Sequence, residues 1–135
     1  MIGFDSIKSA ILSNYKQNKL HHAILLHGKK GIGKSNFAKE IALEILNSNK
    51  PIHPDLFLIE KLENKRDIVV DQIRKIADFS NQTSAISRNK FIIIDAADEL
   101  NRAASNALLK ILEEPHANNF LILISHNLSK LLATI

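Results

Sequence analysis

Cysteine and tryptophan are absent from this chain of 135 residues, and proline is scarce, with three positions. Without cysteine there is neither a disulfide framework nor a thiolate metal site. No apolar stretch approaches the ~20 residues that a membrane-spanning helix needs. The N-terminus, "MIGFDSIKSAILSNYK", has neither the basic start nor the long apolar core of a signal peptide. These absences lead to the expectation of a soluble, cytoplasmic protein with no membrane partner. Hydrophobic residues make up 45% of the chain and charged residues 24%, enough for one core, so residues 1–135 are expected to form a single domain. The net charge of +4 is modest and the lysines are scattered, which reads as a solvated surface before it reads as a nucleic-acid stripe. The six histidines (His21, His22, His27, His53, His116, His126) form no i, i+4 pair on one helix and have no carboxylate at ligand spacing.

What the chain does have is a repeated alternation. Ile7, Ala10, Ile11 and Tyr15 recur at helical spacing after Asp5, a candidate N-cap. "HAILLH" reads as a buried strand, and Phe37, Ala38, Ile41, Ala42 and Ile45 form the stripe of a second helix ending near Asn47 to Asn49. "NSNKPIHP" is a loop, "DLFLIE" a strand, and "KLENKRD" a charged connection. Val70, Ile73, Ile76 and Ala77 predict a helix starting at Asp71, followed by an irregular polar "SNQTSAISRN". "KFIIID" is a third strand. Asn101 is placed to cap a helix with apolar positions Ala104, Ala107, Leu108, Ile111 and Leu112, which Pro115 stops. "FLILIS" is a fourth strand, and "SKLLATI" starts another helical turn. Strands that are continuously apolar, alternating with helices, imply an α/β fold whose parallel sheet is covered on both faces.

Three of the four glycines fall within six residues, in "GKKGIGKS". Gly28, Gly33, Lys34 and Ser35 satisfy G-x-x-x-x-G-K-[ST], between a strand and a helix as that motif requires. Glycines let the backbone wrap so that successive N–H groups face phosphate oxygens, and Gly31 relieves the tightest part of the turn. Lys34 supplies a point charge, the helix start its positive end, and Ser35 a hydroxyl for Mg²⁺. Gly28, Lys29, Lys30, Gly31, Ile32, Gly33, Lys34 and Ser35 are therefore the expected nucleotide loop. Asp95 closes "FIIID" at the C-terminal end of a buried strand, where parallel sheets place ligands, and is the expected second Mg²⁺ group. Hydrolysing relatives of such sites place a glutamate next. Here Ala96 stands there and cannot accept a proton, so hydrolysis is expected to be weak or absent.

"LHHAILLHGKKGIGKSNFAKEIA", "HPDLFLIE", "VVDQIRKI", "FIIIDAADELNRAASNALLKILEEP" and "FLILISHNLSKLLATI" together resemble the N-terminal nucleotide-binding domain of clamp-loader subunits. The nearest branch is the delta-prime type of bacterial DNA polymerase III. The least generic piece is "NALLKILEEP", which few phosphate-loop proteins carry after the aspartate strand. The resemblance implies an AAA+ type P-loop NTPase fold with strand order 5-1-4-3-2. It makes Gly28 to Ser35 the ATP loop and Asp95 the Walker B aspartate. It puts Ser125 at the sensor position for the terminal phosphate, where His126 and Asn127 are one and two residues away. The implied cofactors are ATP and Mg²⁺. The implied partners are subunits of the delta and gamma/tau type, and through them the sliding clamp and primer–template DNA.

The sequence departs from the family's pattern in three places. In the family it resembles, related subunits often carry a cysteine-rich zinc module between the first and second strands; "NSNKPIHPD" is short and lacks cysteine, so no zinc is expected. Ala96 replaces the catalytic glutamate. The chain stops at "LLATI", before the arginine-finger segment, fifth strand, lid and collar that the resemblance would lead one to expect. Ala23 to Leu26 is then expected at a sheet edge, apolar and without an internal proline or lysine, where it invites association. Two other readings stay open at this level: a stand-alone ATPase of the same fold using Asp98 or Glu99 as base, and an inactive remnant of a split gene.

Overall fold

The structure, a computed structural model, describes residues 5–28, 33–47, 53–81, 89–114 and 118–127. Its order is α1 (Asp5–Lys16), β1 (Ala23–His27), α2 (Lys34–Ile45), β2 (Leu56–Glu60), α3 (Val70–Asn81), β3 (Lys90–Asp95), a 3₁₀ turn (Ala97–Glu99), α4 (Arg102–Glu113) and β4 (Asn119–Ser125). The four strands lie in one parallel sheet, ordered β1-β4-β3-β2, which is the expected order without its fifth strand. Lys29 to Ile32 of the loop, Pro115 and "SKLLATI" lie outside the described residues.

Side chains alternate across a strand, and here both faces are covered. On β3, Ile92 and Ile94 face the α3/α4 layer, with Ile73, Ile76, Ala104 and Leu108. Phe91 and Ile93 face the α1/α2 layer, with Ile11, Phe37, Ile41 and Ile45. Leu121/Leu123 and Ile122/Ile124 of β4 divide the same way. Double coverage is why these two central strands read as unbroken apolar runs. Lys8 joins the α1/α2 layer at its rim, 2.9 Å from both Glu40 and Glu44.

β1 stands at the sheet edge as expected, while the reading of "HAILLH" as a buried strand is corrected. Of β1, only Leu26 is fully buried, and Leu25 is 43% exposed, because no neighbour covers its free side among the described residues. Ile7, which the helical stripe would bury, is 41% exposed and lines a shallow 280 Å³ groove beside Ile11, Ile24 and Leu25. Ala10 is exposed as well. Asp5 is the first helical residue rather than the residue before the helix.

Helix α3 starts one residue earlier than expected. The Gln72 side chain closes the preceding loop, accepting from Val69 N at 3.2 Å and donating to Glu60 O at 2.7 Å. Ala77 is exposed; Phe79 packs inward instead, its ring 5.3 Å from that of Phe57. Asn101 caps α4 as expected, its Oδ1 accepting from Ala104 N at 2.9 Å. A parallel bridge fixes the segment between β3 and α4: Ile68 N donates to Glu99 O at 2.7 Å and Asn101 N to Ile68 O at 3.0 Å. This bridge holds the 3₁₀ turn, and with it Asp98, beneath the end of β4.

Candidate nucleotide site

Parallel strands in register bring their C-terminal ends to one edge of the sheet. His27 pairs with Ser125, and Asp95 with Ile124 on one side and Glu60 on the other. The first loop glycine is tied to that edge, Gly28 N donating to Ser125 O at 3.2 Å. The last, Gly33, has φ 87° and ψ 20°, a left-handed conformation that a residue with a Cβ adopts only at a cost. It turns the chain directly into α2. No side chain caps that helix start and no acidic residue occupies its first turn, so the helix itself supplies no carboxylate to its positive end.

Lys34, the first residue of α2, is buried, and its Nζ donates to Gly28 O at 2.8 Å. Burial holds its pKa below the ordinary lysine value, while the charges of Asp95 and Asp98 pull it back up. The amine thus lies at the loop, on a glycine carbonyl and within the fields of two carboxylates. Ser35, next on the helix, is half-buried. Ser125 is fully buried, and its Oγ has no hydrogen-bond partner among the described residues. Buried hydroxyls are nearly always satisfied, and among the described residues Ser105 on α4 shares this lack of a partner.

Asp95, Asp98 and His126 form the other wall. His126 Nε2 lies 3.5 Å from Asp95 Oδ1, and His126 N donates to Asp98 Oδ1 at 3.1 Å. Asp98 is buried, and Glu99 pairs with Lys61 at 3.0 Å. Asp98 therefore accepts a backbone N–H, and Glu99 stands in a partly exposed ion pair. Ala96, in the position after Asp95, is buried and carries no polar side chain. The site thus gathers Gly28, Gly33, Lys34, Ser35, Asp95 and Ser125, while Lys29, Lys30, Gly31 and Ile32 lie outside the described residues. Sequence reasoning weighed His126 only as a neighbour of the sensor position and missed its contact with Asp95. The register pairs Asp95 with Ile124, so His126 lies two positions beyond that partner, and strand pairing alone does not announce the contact.

A family model described as "DNA polymerase III, delta subunit" matches residues 5–135. The chain belongs to that family. It is a clamp-loader domain of the delta-prime kind. It is 37% identical to the DNA polymerase III subunit delta' of Pseudomonas aeruginosa over 131 residues, covering 84% of this chain and 40% of that protein. The delta' subunit of Haemophilus influenzae is 32% identical, over 93% of this chain and 43% of its own length. The DNA polymerase III subunit gamma of Buchnera aphidicola (Schizaphis graminum) is also 32% identical, over 100% of this chain and 41% of its own. The chain therefore spans less than half the length of each of these relatives. Among solved structures, a gamma-subunit-related protein from Thermotoga maritima superposes with a TM-score of 0.60 at 21% identity, over 98% of this chain and 43% of that one. The P-loop NTPase domain of an Escherichia coli sigma-54 transport activator gives 0.51 at 17%, over 96% and 84%. These two likenesses show the fold alone, a parallel α/β sheet like that of the P-loop NTPase domain just named. Among the described residues there is no cluster of three metal-ligating side chains and no helix long and apolar enough to cross a membrane.

Proposed function

We propose that residues 1–135 form the nucleotide-binding domain of a DNA polymerase III clamp-loader subunit, acting in the cytoplasm during DNA replication. In this reading the loop from Gly28 to Ser35 holds ATP. Lys34 meets the terminal phosphates, Ser35 and Asp95 face the magnesium, and Ser125 reads the last phosphate. The observation that carries the reading is Lys34: a buried ammonium, parked on the loop's own carbonyl at 2.8 Å, within the fields of Asp95 and Asp98. A phosphate at the loop would replace Gly28 O as the acceptor of this amine. The unpartnered Ser125 hydroxyl, beside the loop's first glycine, supports the same placement. The oxygen donors, one hydroxyl and one carboxylate at the C-terminal edge of a parallel sheet, fit Mg²⁺ held through nucleotide, with the Lys34 amine left to meet the phosphates. When bound, the magnesium would neutralise phosphate charge.

Hydrolysis is expected to stay near background. Ala96 cannot orient water, and losing a positioned base typically costs on the order of a hundredfold or more. The domain's work is then to sense nucleotide and to pass that state to neighbours of the delta and gamma/tau type, which load the sliding clamp onto primed DNA. The stand-alone ATPase reading is less well supported, because Asp98 and Glu99 are already engaged. Single-turnover assays with protein in excess separate the two: no phosphate release above background is expected, and rapid release by the wild type would contradict the proposal.

A further inference from the structure

Asp95 ends β3 with no help from the residues after it, since Ala96 and Ala97 carry no polar side chain. Help arrives from β4. His126, the first residue beyond that strand, touches both carboxylates of the site in different ways. Its backbone N–H donates to Asp98 Oδ1 at 3.1 Å, which fixes the base of the side chain. Its ring then reaches over, with Nε2 3.5 Å from Asp95 Oδ1. The other ring nitrogen, Nδ1, is buried and has no hydrogen-bond partner among the described residues. A hydrogen on Nδ1 would be a buried donor without an acceptor, which is costly. The neutral ring therefore carries its hydrogen on Nε2, facing Asp95.

We propose that His126 is a positioning residue for Asp95: the ring N–H faces one carboxylate oxygen at 3.5 Å and leaves the other to turn toward the magnesium of a bound nucleotide. This inference rests on the nucleotide-binding reading above. Groups that orient a metal-binding carboxylate or imidazole from behind commonly set metal affinity by about 10–100-fold. The anchoring of the His126 backbone on Asp98 makes the device stiff, because the 3₁₀ turn that carries Asp98 is itself bridged to Ile68. Asp98 thus supports Asp95 through His126 without touching the ligand.

The test compares wild type, His126→Ala and His126→Gln in their affinity for a fluorescent ADP analogue, once with Mg²⁺ and once with EDTA. The ratio of the two affinities isolates the metal's share. His126→Ala is expected to reduce that ratio by about tenfold or more, leaving the affinity in EDTA unchanged. His126→Gln, whose amide N–H can reach about as far as Nε2, should recover most of it. An unchanged ratio overturns the proposal, and so does an increased one, which would mean that the ring competes with the metal. Equal losses in both conditions would reveal a structural role only. If the wild type binds no nucleotide, the functional reading fails, and ¹⁵N spectra of the imidazole judge His126 separately. An Nε2–H tautomer whose signals shift in Asp95→Asn is expected; an Nδ1–H tautomer, or no response to Asp95→Asn, refutes the contact.

Discussion

Replacing Lys34 by methionine should stabilise the fold while removing the proposed anion site. The residue is 3% exposed, and burial lowers the pKa of its amine. In return it donates to Gly28 O and feels Asp95 and Asp98 at a distance. A charge-assisted hydrogen bond contributes about 1.5–3 kcal/mol, whereas desolvating an ion costs several kcal/mol after relaxation. Burial is the larger influence on this amine, since its pKa falls below the ordinary value despite both carboxylates. Methionine keeps the length of the side chain without the charge, so a gain of about 1 kcal/mol is expected, or roughly 3–6 °C in Tm for a domain of this size. The pH dependence gives a sharper signature. Between the lowered folded pKa and the ordinary value of 10.5, the unfolded chain binds more protons at this site than the folded one. Wild-type stability relative to Lys34→Met therefore rises as pH increases through that window, and the two converge above it. Thermal melts of both proteins from neutral to alkaline pH read this directly. A methionine variant less stable than wild type at neutral pH by 2 kcal/mol or more, or a difference that does not change with pH, would refute the reasoning.

Three further outcomes follow from the fold. Asn101→Ala removes the cap on Ala104 N and should cost about 1 kcal/mol in a denaturant melt, with Asn101→Gly costing only a few tenths. Lys8 is raised by its bonds to Glu40 and Glu44, and Glu40 is lowered by Lys8. The advantage of wild type over Lys8→Ala should therefore be small, constant at neutral pH, and lost both as pH falls through the depressed Glu40 pKa and as it rises through the elevated Lys8 pKa. Leu25→Lys puts a charge on the apolar edge of β1, and sedimentation velocity at rising concentration should show less self-association than in wild type; equal association would place the sticky surface elsewhere.

The elements with a clean apolar period were legible in the sequence. Phe37, Ala38, Ile41, Ala42 and Ile45 all face the core as their spacing predicts, and β3 is buried along "FIII" because both its faces are covered. The α1 stripe was legible only in part. Ile7 and Ala10 have the right period, but the helix covers an edge of the sheet, where there is too little partner surface to bury them. At α3 the period pointed to Ala77, and a larger neighbour, Phe79, took the inward position against Phe57. The motif residues of the site could be named from their spacing, since strand ends in a parallel sheet converge. The His126–Asp98 bond could not, because it is a backbone donor meeting a side chain 28 positions away and leaves no compositional trace. Nor does any pattern announce that a lysine is buried on its own loop's carbonyl.

The central claim is that Gly28 to Ser35 form a phosphate site and not merely a glycine turn before a helix. Equilibrium titration of a fluorescent ATP analogue with Mg²⁺ present, comparing wild type with Lys34→Ala, tests it most directly. The account predicts saturable binding by wild type and its loss in the variant, with both proteins folded by circular dichroism. Equal affinity in the two proteins, or no binding by a folded wild type, would contradict it.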